Sequence, residues 1–96
     1  MTMYSVYILF SENLQKHYIG YSSDYQSRIV YHNDSARNQI WTKRGIPWKL
    51  FHLIGGLTEP QAIATEKHIK KMKSKKYIQN LWAYPEMNEK LKARFG

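Results

Sequence analysis

The sequence predicts an α+β domain in which helices flank a small three-stranded antiparallel sheet, in the order β-β-α-β-α-α. Short runs of β-branched and aromatic residues, which suit a pleated surface, occur three times. Helix-capping patterns precede two of the segments that follow the first hairpin. The chain of 96 residues can bury one small core, so we expect a single domain over residues 1–96.

The first two runs predict a β-hairpin. They are Tyr4–Phe10 and His17–Tyr21, and the polar residues between them can form a turn. Gly20 lies inside the second run, where a glycine often marks the close approach of another group. Pairing of the two strands would let Tyr7 and Tyr18 approach each other across the sheet.

A capping pattern predicts the first helix after this hairpin. Ser23 and Gln26 form an S-x-x-Q capping box, so we expect a helix from Asp24 to His32. A polar, basic loop over residues 34–46 follows.

The third strand is predicted at Trp48–Ile54, after Pro47. Its apolar residues fall on both faces, which favours a central strand that is covered on both sides. Gly55 and Gly56 then break the strand pattern.

The last part of the chain is predicted to be helical. Thr58 and Gln61 form a second capping box in front of a long helix with an apolar stripe. Ser74 can cap the next helix, and Pro85 ends it. The stripe residues are Ala62, Ile63, Ile69 and Met72, and the two later helices are expected at Lys75–Trp82 and Glu86–Arg94.

Positive charge is concentrated in one part of the chain. The net charge is +8, and residues 37–76 hold ten basic and two acidic side chains, which accounts for all of it. A localised basic region is typical of proteins that bind a polyanion, most often nucleic acid. A solvated surface without a ligand is the alternative, and charge alone leaves both open.

Several classes of protein are excluded or disfavoured by what the sequence lacks. No apolar run approaches the roughly 20 residues that span a bilayer, and the first residues do not look like a secretory signal. There is no cysteine, which excludes disulfides and thiolate chemistry. The four histidines are not spaced as metal ligands on one helix face. We therefore expect a cytoplasmic protein that does not associate with membranes.

One group of residues has the chemistry for phosphoryl transfer. Arg28 and His32 share a helix face, Tyr7 and Tyr18 lie on strands expected to pair, and Glu66 is an acid followed by many lysines. An arginine can neutralise phosphate charge, a carboxylate can hold a divalent cation, and a phenol or imidazole can help to deprotonate water.

Each of these residues also has an ordinary structural interpretation. Both tyrosines can be sheet aromatics, Arg28 a solvated helix residue, and His32 a capping or orienting residue. Glu66 can simply pair with Lys70 at i, i+4. The spacing alone leaves these alternatives open.

Five motifs appear in order along the chain: Ser5-Val6-Tyr7, Tyr18-Ile19-Gly20, Asp24 to Arg28 to His32-Asn33, Thr42 to Leu50, and Glu66 at an acidic helix position. Together they resemble the GIY-YIG endonuclease superfamily over about residues 4–82. Within it, the chain is similar to small single-domain bacterial members related to the N-terminal nuclease domain of excinuclease C. Ser5-Val6 stands where the family has Gly-Ile.

The resemblance implies metal-dependent hydrolysis of nucleic-acid phosphodiesters. Tyr7 and Tyr18 would position or deprotonate the attacking water, and Arg28 would stabilise charge on the phosphate. His32 would orient the tyrosines or assist proton transfer. Glu66 would hold one Mg²⁺ or Mn²⁺, and Asn80 is a weaker match to a downstream amide.

The expected substrate is DNA, above all branched or damaged DNA, with RNA as an open alternative. Basic side chains are expected to contact the phosphate backbone without reading sequence; they are Lys16, Lys43, Arg44, Lys67, Lys70, Lys71 and Lys73. Two other readings are a non-catalytic nucleic-acid-binding module on the same scaffold and a small basic protein associated with RNA or ribosomes. The resemblance does not imply an oligomeric state or a protein partner.

Overall fold

The computed structural model describes residues 2–96 and has a three-stranded antiparallel sheet at its centre. The strands are β1 (Tyr4–Ser11), β2 (Lys16–Ser22) and β3 (Trp48–Leu57). β1 pairs with β2 on one side and with β3 on the other. The predicted α+β class, the hairpin and the antiparallel sheet are confirmed.

The prediction that the third strand is central was wrong, because β1 occupies the middle of the sheet in the order β2-β1-β3. β1 is buried on both faces: Val6 and Ile8 belong to one apolar cluster, and Tyr7 and Leu9 to another. β3 is an edge strand, and its Leu50 is 44% exposed. Apolar residues on both faces of a strand therefore did not identify the central one.

The two glycines that were expected to end the third strand lie inside it. β3 continues to Leu57, and one extra residue is accommodated between the Val6–Ile54 and Tyr4–Leu57 pairs. Gly56 has φ +70°, a conformation that glycine adopts without strain. The pattern break therefore marks a β-bulge instead of the end of the strand.

Four helices complete the fold: α1 (Tyr25–His32), α2 (Glu59–Met72), α3 (Lys75–Ala83) and α4 (Pro85–Phe95). The predicted capping box of α2 is present in full, because Thr58 accepts from the Gln61 amide and Gln61 accepts from the Thr58 amide. Ser74 caps α3 as predicted.

Two details of the helix ends differ from the sequence prediction. The N-cap of α1 is Asp24 and not Ser23, since the Asp24 carboxylate accepts a hydrogen bond from the Ser27 amide. Pro85 does more than terminate a helix, because it is the first residue of α4. Proline suits that position, where the missing N–H has no intrahelical partner.

The helices divide between the two faces of the sheet. α1 packs on the face that carries Tyr7, Leu9 and Trp48. The other three helices cover the opposite face, where Val6 and Ile8 form a core with residues such as Ile69 and Leu81. No helix within residues 2–96 is long and apolar enough to cross a membrane.

The loop between α1 and β3 is more ordered than its polar sequence predicted. It contains a short 3₁₀ helix, Trp41–Gly45. The Asn33 side chain joins the two ends of this connection: its Oδ1 accepts from the Trp48 amide at 2.6 Å, and its Nδ2 donates to the Trp48 carbonyl at 2.9 Å. These bonds fix the 3₁₀ helix beside the α1 face of the sheet.

Candidate active site

The site is built around Tyr7 on the central strand. Its partner across the β1–β2 ladder is Gly20, and a Cβ atom at Gly20 would lie 2.5 Å from the Tyr7 Oη atom. The glycine therefore leaves room for the phenol, as the sequence predicted. Tyr18 pairs with Leu9, one diagonal step away, and the two tyrosine ring centroids are 6.2 Å apart.

His32, at the end of α1, lies between the two tyrosines and the 3₁₀ helix. Its Nε2 atom is 3.5 Å from Tyr7 Oη, and its Nδ1 atom is 3.0 Å from Thr42 Oγ1. The His32 and Tyr18 ring centroids are 4.4 Å apart. The imidazole is fully buried. Burial, and then the positive charge of Arg28, lower the pKa of His32 to about 4, so it is neutral near pH 7.

A buried polar network holds the His32 ring in place. The Thr42 to Leu50 motif contains two of its members, but nothing in the sequence indicated that they support His32. Asn38 Nδ2 donates to Thr42 Oγ1 at 2.8 Å and to the His32 carbonyl at 2.9 Å. Trp48 Nε1 donates to the Thr42 carbonyl at 2.6 Å. Asn38 and Thr42 lie in a stretch whose polar composition is typical of a solvated loop, so no local pattern distinguishes them from exposed neighbours.

Arg28 lies one helical turn before His32 and is half-buried. Its guanidinium carbon is 4.5 Å from the centroid of the Tyr31 ring, which it stacks upon. Burial raises the pKa of the Tyr7 phenol, and the nearby Arg28 guanidinium opposes part of that rise. Arg28 therefore acts on both Tyr7 and His32.

Glu66, on α2, adds a negative charge to the same region. Its charge contributes to the raised pKa of Tyr7, which places it within electrostatic reach of that phenol. The side chain is 14% exposed, and its Oε1 atom is 2.8 Å from Lys70 Nζ. The ion pair that the sequence offered as an alternative is thus present. The structure brings Tyr7, Tyr18, Arg28 and His32 together, and it places Glu66 within electrostatic reach of Tyr7.

The donor set at Glu66 suits a hard divalent cation that also binds the substrate. Within residues 2–96, no three His, Cys, Asp or Glu side chains are grouped as a preformed metal cage. Mg²⁺ commonly keeps several waters and uses one or two carboxylates together with substrate phosphates. A single, largely buried glutamate beside Tyr7 fits an ion of that kind, with Glu66 as its protein ligand.

The predicted nucleic-acid-binding residues do not all lie on one surface. Lys16, Lys70 and Lys73 line a common groove, and Arg44 lies with Lys16 in an adjoining hollow. Lys43 and Lys67 are exposed on the 3₁₀ helix and on α2. The charge of Lys71 instead acts on His68, whose ring packs against Phe95 of α4.

Asn80 is not brought to this site. It lies on α3 in a shallow hollow with Phe51 and Trp82. Phe51 packs against the cluster under α2–α4, on the face of the sheet opposite Tyr7. The weaker match made from the sequence therefore has no geometric support from the Tyr7 site.

These features together are typical of a nuclease domain: the order of the strands, two neighbouring tyrosines on β1 and β2, and an arginine and a glutamate on helices. The family model of the GIY-YIG catalytic domain matches residues 3–79, and the chain belongs to this family. Such domains generally indicate divalent-metal-dependent endonuclease activity. No curated protein and no solved structure matches the chain significantly.

The low pKa of His32 makes stability depend on pH. The ordinary pKa of histidine is about 6.5, and the folded value is about 4. Between these values the unfolded chain binds a proton that the folded chain does not. Stability should therefore fall as pH falls from about 6.5 to about 4, with a His32 contribution on the order of 3 kcal/mol.

His32→Gln should remove most of this dependence, measured as the free energy of unfolding at a series of pH values from 7 downward. His68→Gln is the comparison: burial also lowers the pKa of His68, but that ring is only partly buried and should contribute less. NMR titration of the His32 ring gives a direct reading. An ordinary pKa for His32, or an unchanged pH dependence in His32→Gln, would contradict the prediction.

Proposed function

We propose that the protein is a metal-dependent endonuclease that hydrolyses DNA phosphodiester bonds, with branched or damaged DNA as its substrate. One observation carries the proposal: in a GIY-YIG catalytic domain, His32 contacts the Tyr7 phenol, and Arg28 and Glu66 lie within electrostatic reach of it. A purely structural arrangement does not need an arginine, a glutamate and a neutral histidine around one buried phenol.

The hydrogen bonds around His32 suggest how Tyr7 is prepared. Asn38 donates to Thr42 Oγ1, so the Thr42 hydroxyl proton can point to His32 Nδ1. The neutral imidazole then carries its proton on Nε2, which faces Tyr7 Oη. In this arrangement His32 donates to the phenol oxygen, and Arg28 adds positive charge beside it. Both favour loss of the Tyr7 proton and oppose the effect of burial.

The two tyrosines then have different roles. Tyr7 is 2% exposed and lies against His32. Once the phenol has lost its proton to solvent, its oxygen can accept the proton of the attacking water and become a neutral phenol again. Tyr18 is more exposed and lies over the His32 ring, where its hydroxyl can orient that water. Each role follows from the position of the phenol relative to His32.

Arg28 and Glu66 are assigned to the charge of the reaction. The Arg28 guanidinium can donate two parallel hydrogen bonds to phosphate oxygens as charge builds on them. Glu66 would hold the divalent ion, which would supply positive charge for the phosphoryl group in the transition state. Lys70 neutralises Glu66 until the ion binds, since the two side chains are paired.

The test is cleavage of a panel of labelled substrates by the purified protein. Linear, nicked, flapped and four-way DNA, and RNA, are incubated with Mg²⁺ or Mn²⁺ and with EDTA. We expect scission that requires the metal and that favours the branched substrates. Cleavage of RNA alone would correct the substrate class. Tight binding without scission of any substrate would identify a binding module and overturn the proposal.

A further inference from the structure

A groove runs along the open edge of β2, next to the catalytic residues. It has a volume of about 800 Å³, within the range of sites that take nucleotide-sized ligands. Within the described residues β2 pairs with β1 alone, so its other edge is free to border the groove. Three isoleucines from β2, α2 and α3 line it: Ile19, Ile69 and Ile78.

An exposed tryptophan forms one wall of this groove. Trp41 is 44% exposed, although its ring contacts other aromatic rings. It packs edge-on against Trp48, with the centroids 5.7 Å apart, and it lies 5.9 Å from Tyr18. These contacts hold the indole in place. A rigid, exposed aromatic surface of this kind can accept a stacked base.

The charged side chains that line the groove are all lysines: Lys16, Lys70, Lys73 and Lys75. Trp41 also lines a smaller hollow of about 210 Å³, together with Lys16 and Arg44. Basic side chains therefore line both hollows that share Trp41, where they can contact the phosphate backbone that carries a stacked base.

We infer that this groove binds unpaired nucleotides, with a base stacked on Trp41 and the flanking phosphates on the lysines. A base within a duplex is already stacked on its neighbours, so only an unpaired or flipped base can offer its face to the indole. The inference rests on the proposed function and deepens it. The groove adjoins the active site because Trp41 contacts Tyr18 and Lys70 pairs with Glu66. The substrate is therefore a nucleic acid with an unpaired segment beside the scissile phosphate.

The test measures binding in EDTA, so that cleavage does not enter. The probes are a fluorescently labelled short oligothymidylate and a blunt duplex, followed by anisotropy. Loss of a stacked base is expected to weaken oligothymidylate binding by Trp41→Ala roughly ten-fold or more. Duplex binding, which depends on phosphate contacts, should change little. Trp82→Ala is the matched control, since Trp82 is 63% exposed on α3, away from the groove.

A milder variant guards against disturbance of the fold. Trp41→Phe keeps an aromatic ring and should bind oligothymidylate nearly as the wild type does. If the base stacks on Trp41, oligothymidylate should quench tryptophan fluorescence in the wild type and in Trp82→Phe, and this quenching should be lost in Trp41→Phe. Unchanged quenching in Trp41→Phe would overturn the inference. So would equal weakening of duplex and oligothymidylate binding by Trp41→Ala, or poly-glutamate bound as tightly as the oligonucleotide. Absence of metal-dependent scission would instead defeat the proposed function alone.

Discussion

Glu66→Gln is expected to reduce metal-dependent cleavage by at least about 10²-fold while leaving the fold intact. A glutamine has nearly the same shape, but it cannot supply negative charge to a hard cation. The Glu66–Lys70 pair itself predicts only a small effect, because i, i+4 ion pairs on a helix contribute about 0.2–0.5 kcal/mol to stability. Single-turnover experiments would measure the loss of cleavage, and calorimetric titration with Mn²⁺ would independently measure the loss of metal binding.

Two controls separate the metal ligand from the ion pair. Glu89→Gln removes the acid of another helical pair, since Glu89 is 3.6 Å from Lys92, and it should leave cleavage unchanged. Lys70→Met breaks the pair at the active site but keeps the carboxylate. At saturating substrate, Lys70→Met should retain the metal-dependent cleavage rate that Glu66→Gln loses. Mn²⁺ binding and cleavage by Glu66→Gln equal to those of the wild type would eliminate the ligand role.

The sequence predicted most of the fold because local signals carried it. The Thr58 capping box and the β-branched and aromatic β1 run depend on residues close in the chain, and both are confirmed. The order of the strands depends on which strand finds partners on both sides, and β3 has the same apolar character as a central strand. The structure shows that β1 is the strand buried on both faces. Such burial arises only when the whole fold is assembled, so the sequence alone does not reveal it.

The candidate site shows the same division. Motif spacing marked Tyr7, Arg28, His32 and Glu66; in the structure Tyr7 contacts His32, and the charges of Arg28 and Glu66 reach Tyr7. Thr42 was visible only as part of a basic loop, although its hydroxyl contacts His32. Whether a short polar side chain is buried is decided by the loop that covers it. The 3₁₀ helix and the Asn33 bonds to Trp48 were not predictable from composition.

Arg28→Ala is expected to lower the single-turnover cleavage rate by roughly 10²-fold or more, in line with the loss of one transition-state donor. The guanidinium interacts with the phosphate most strongly when charge has built up, so turnover should suffer more than affinity. DNA binding should fall only slightly, because ten basic residues between 37 and 76 remain. Arg28→Lys should rescue poorly, since one ammonium group cannot reproduce two parallel hydrogen bonds or the stack on Tyr31.

Arg37→Ala is the matched control for this arginine. Arg37 follows α1, pairs with Asp34 at 3.0 Å and has a side chain that is 61% exposed. Its removal should change neither the rate nor stability beyond about 0.5 kcal/mol.

Arg28 also lowers the pKa of His32 and counteracts the rise in the pKa of Tyr7. In Arg28→Ala the pKa values of His32 and Tyr7 should therefore both rise. A role in docking alone does not require this change. NMR titration of His32 can detect it. Equal losses of binding and rate, with no shift in the His32 pKa, would make Arg28 a docking residue.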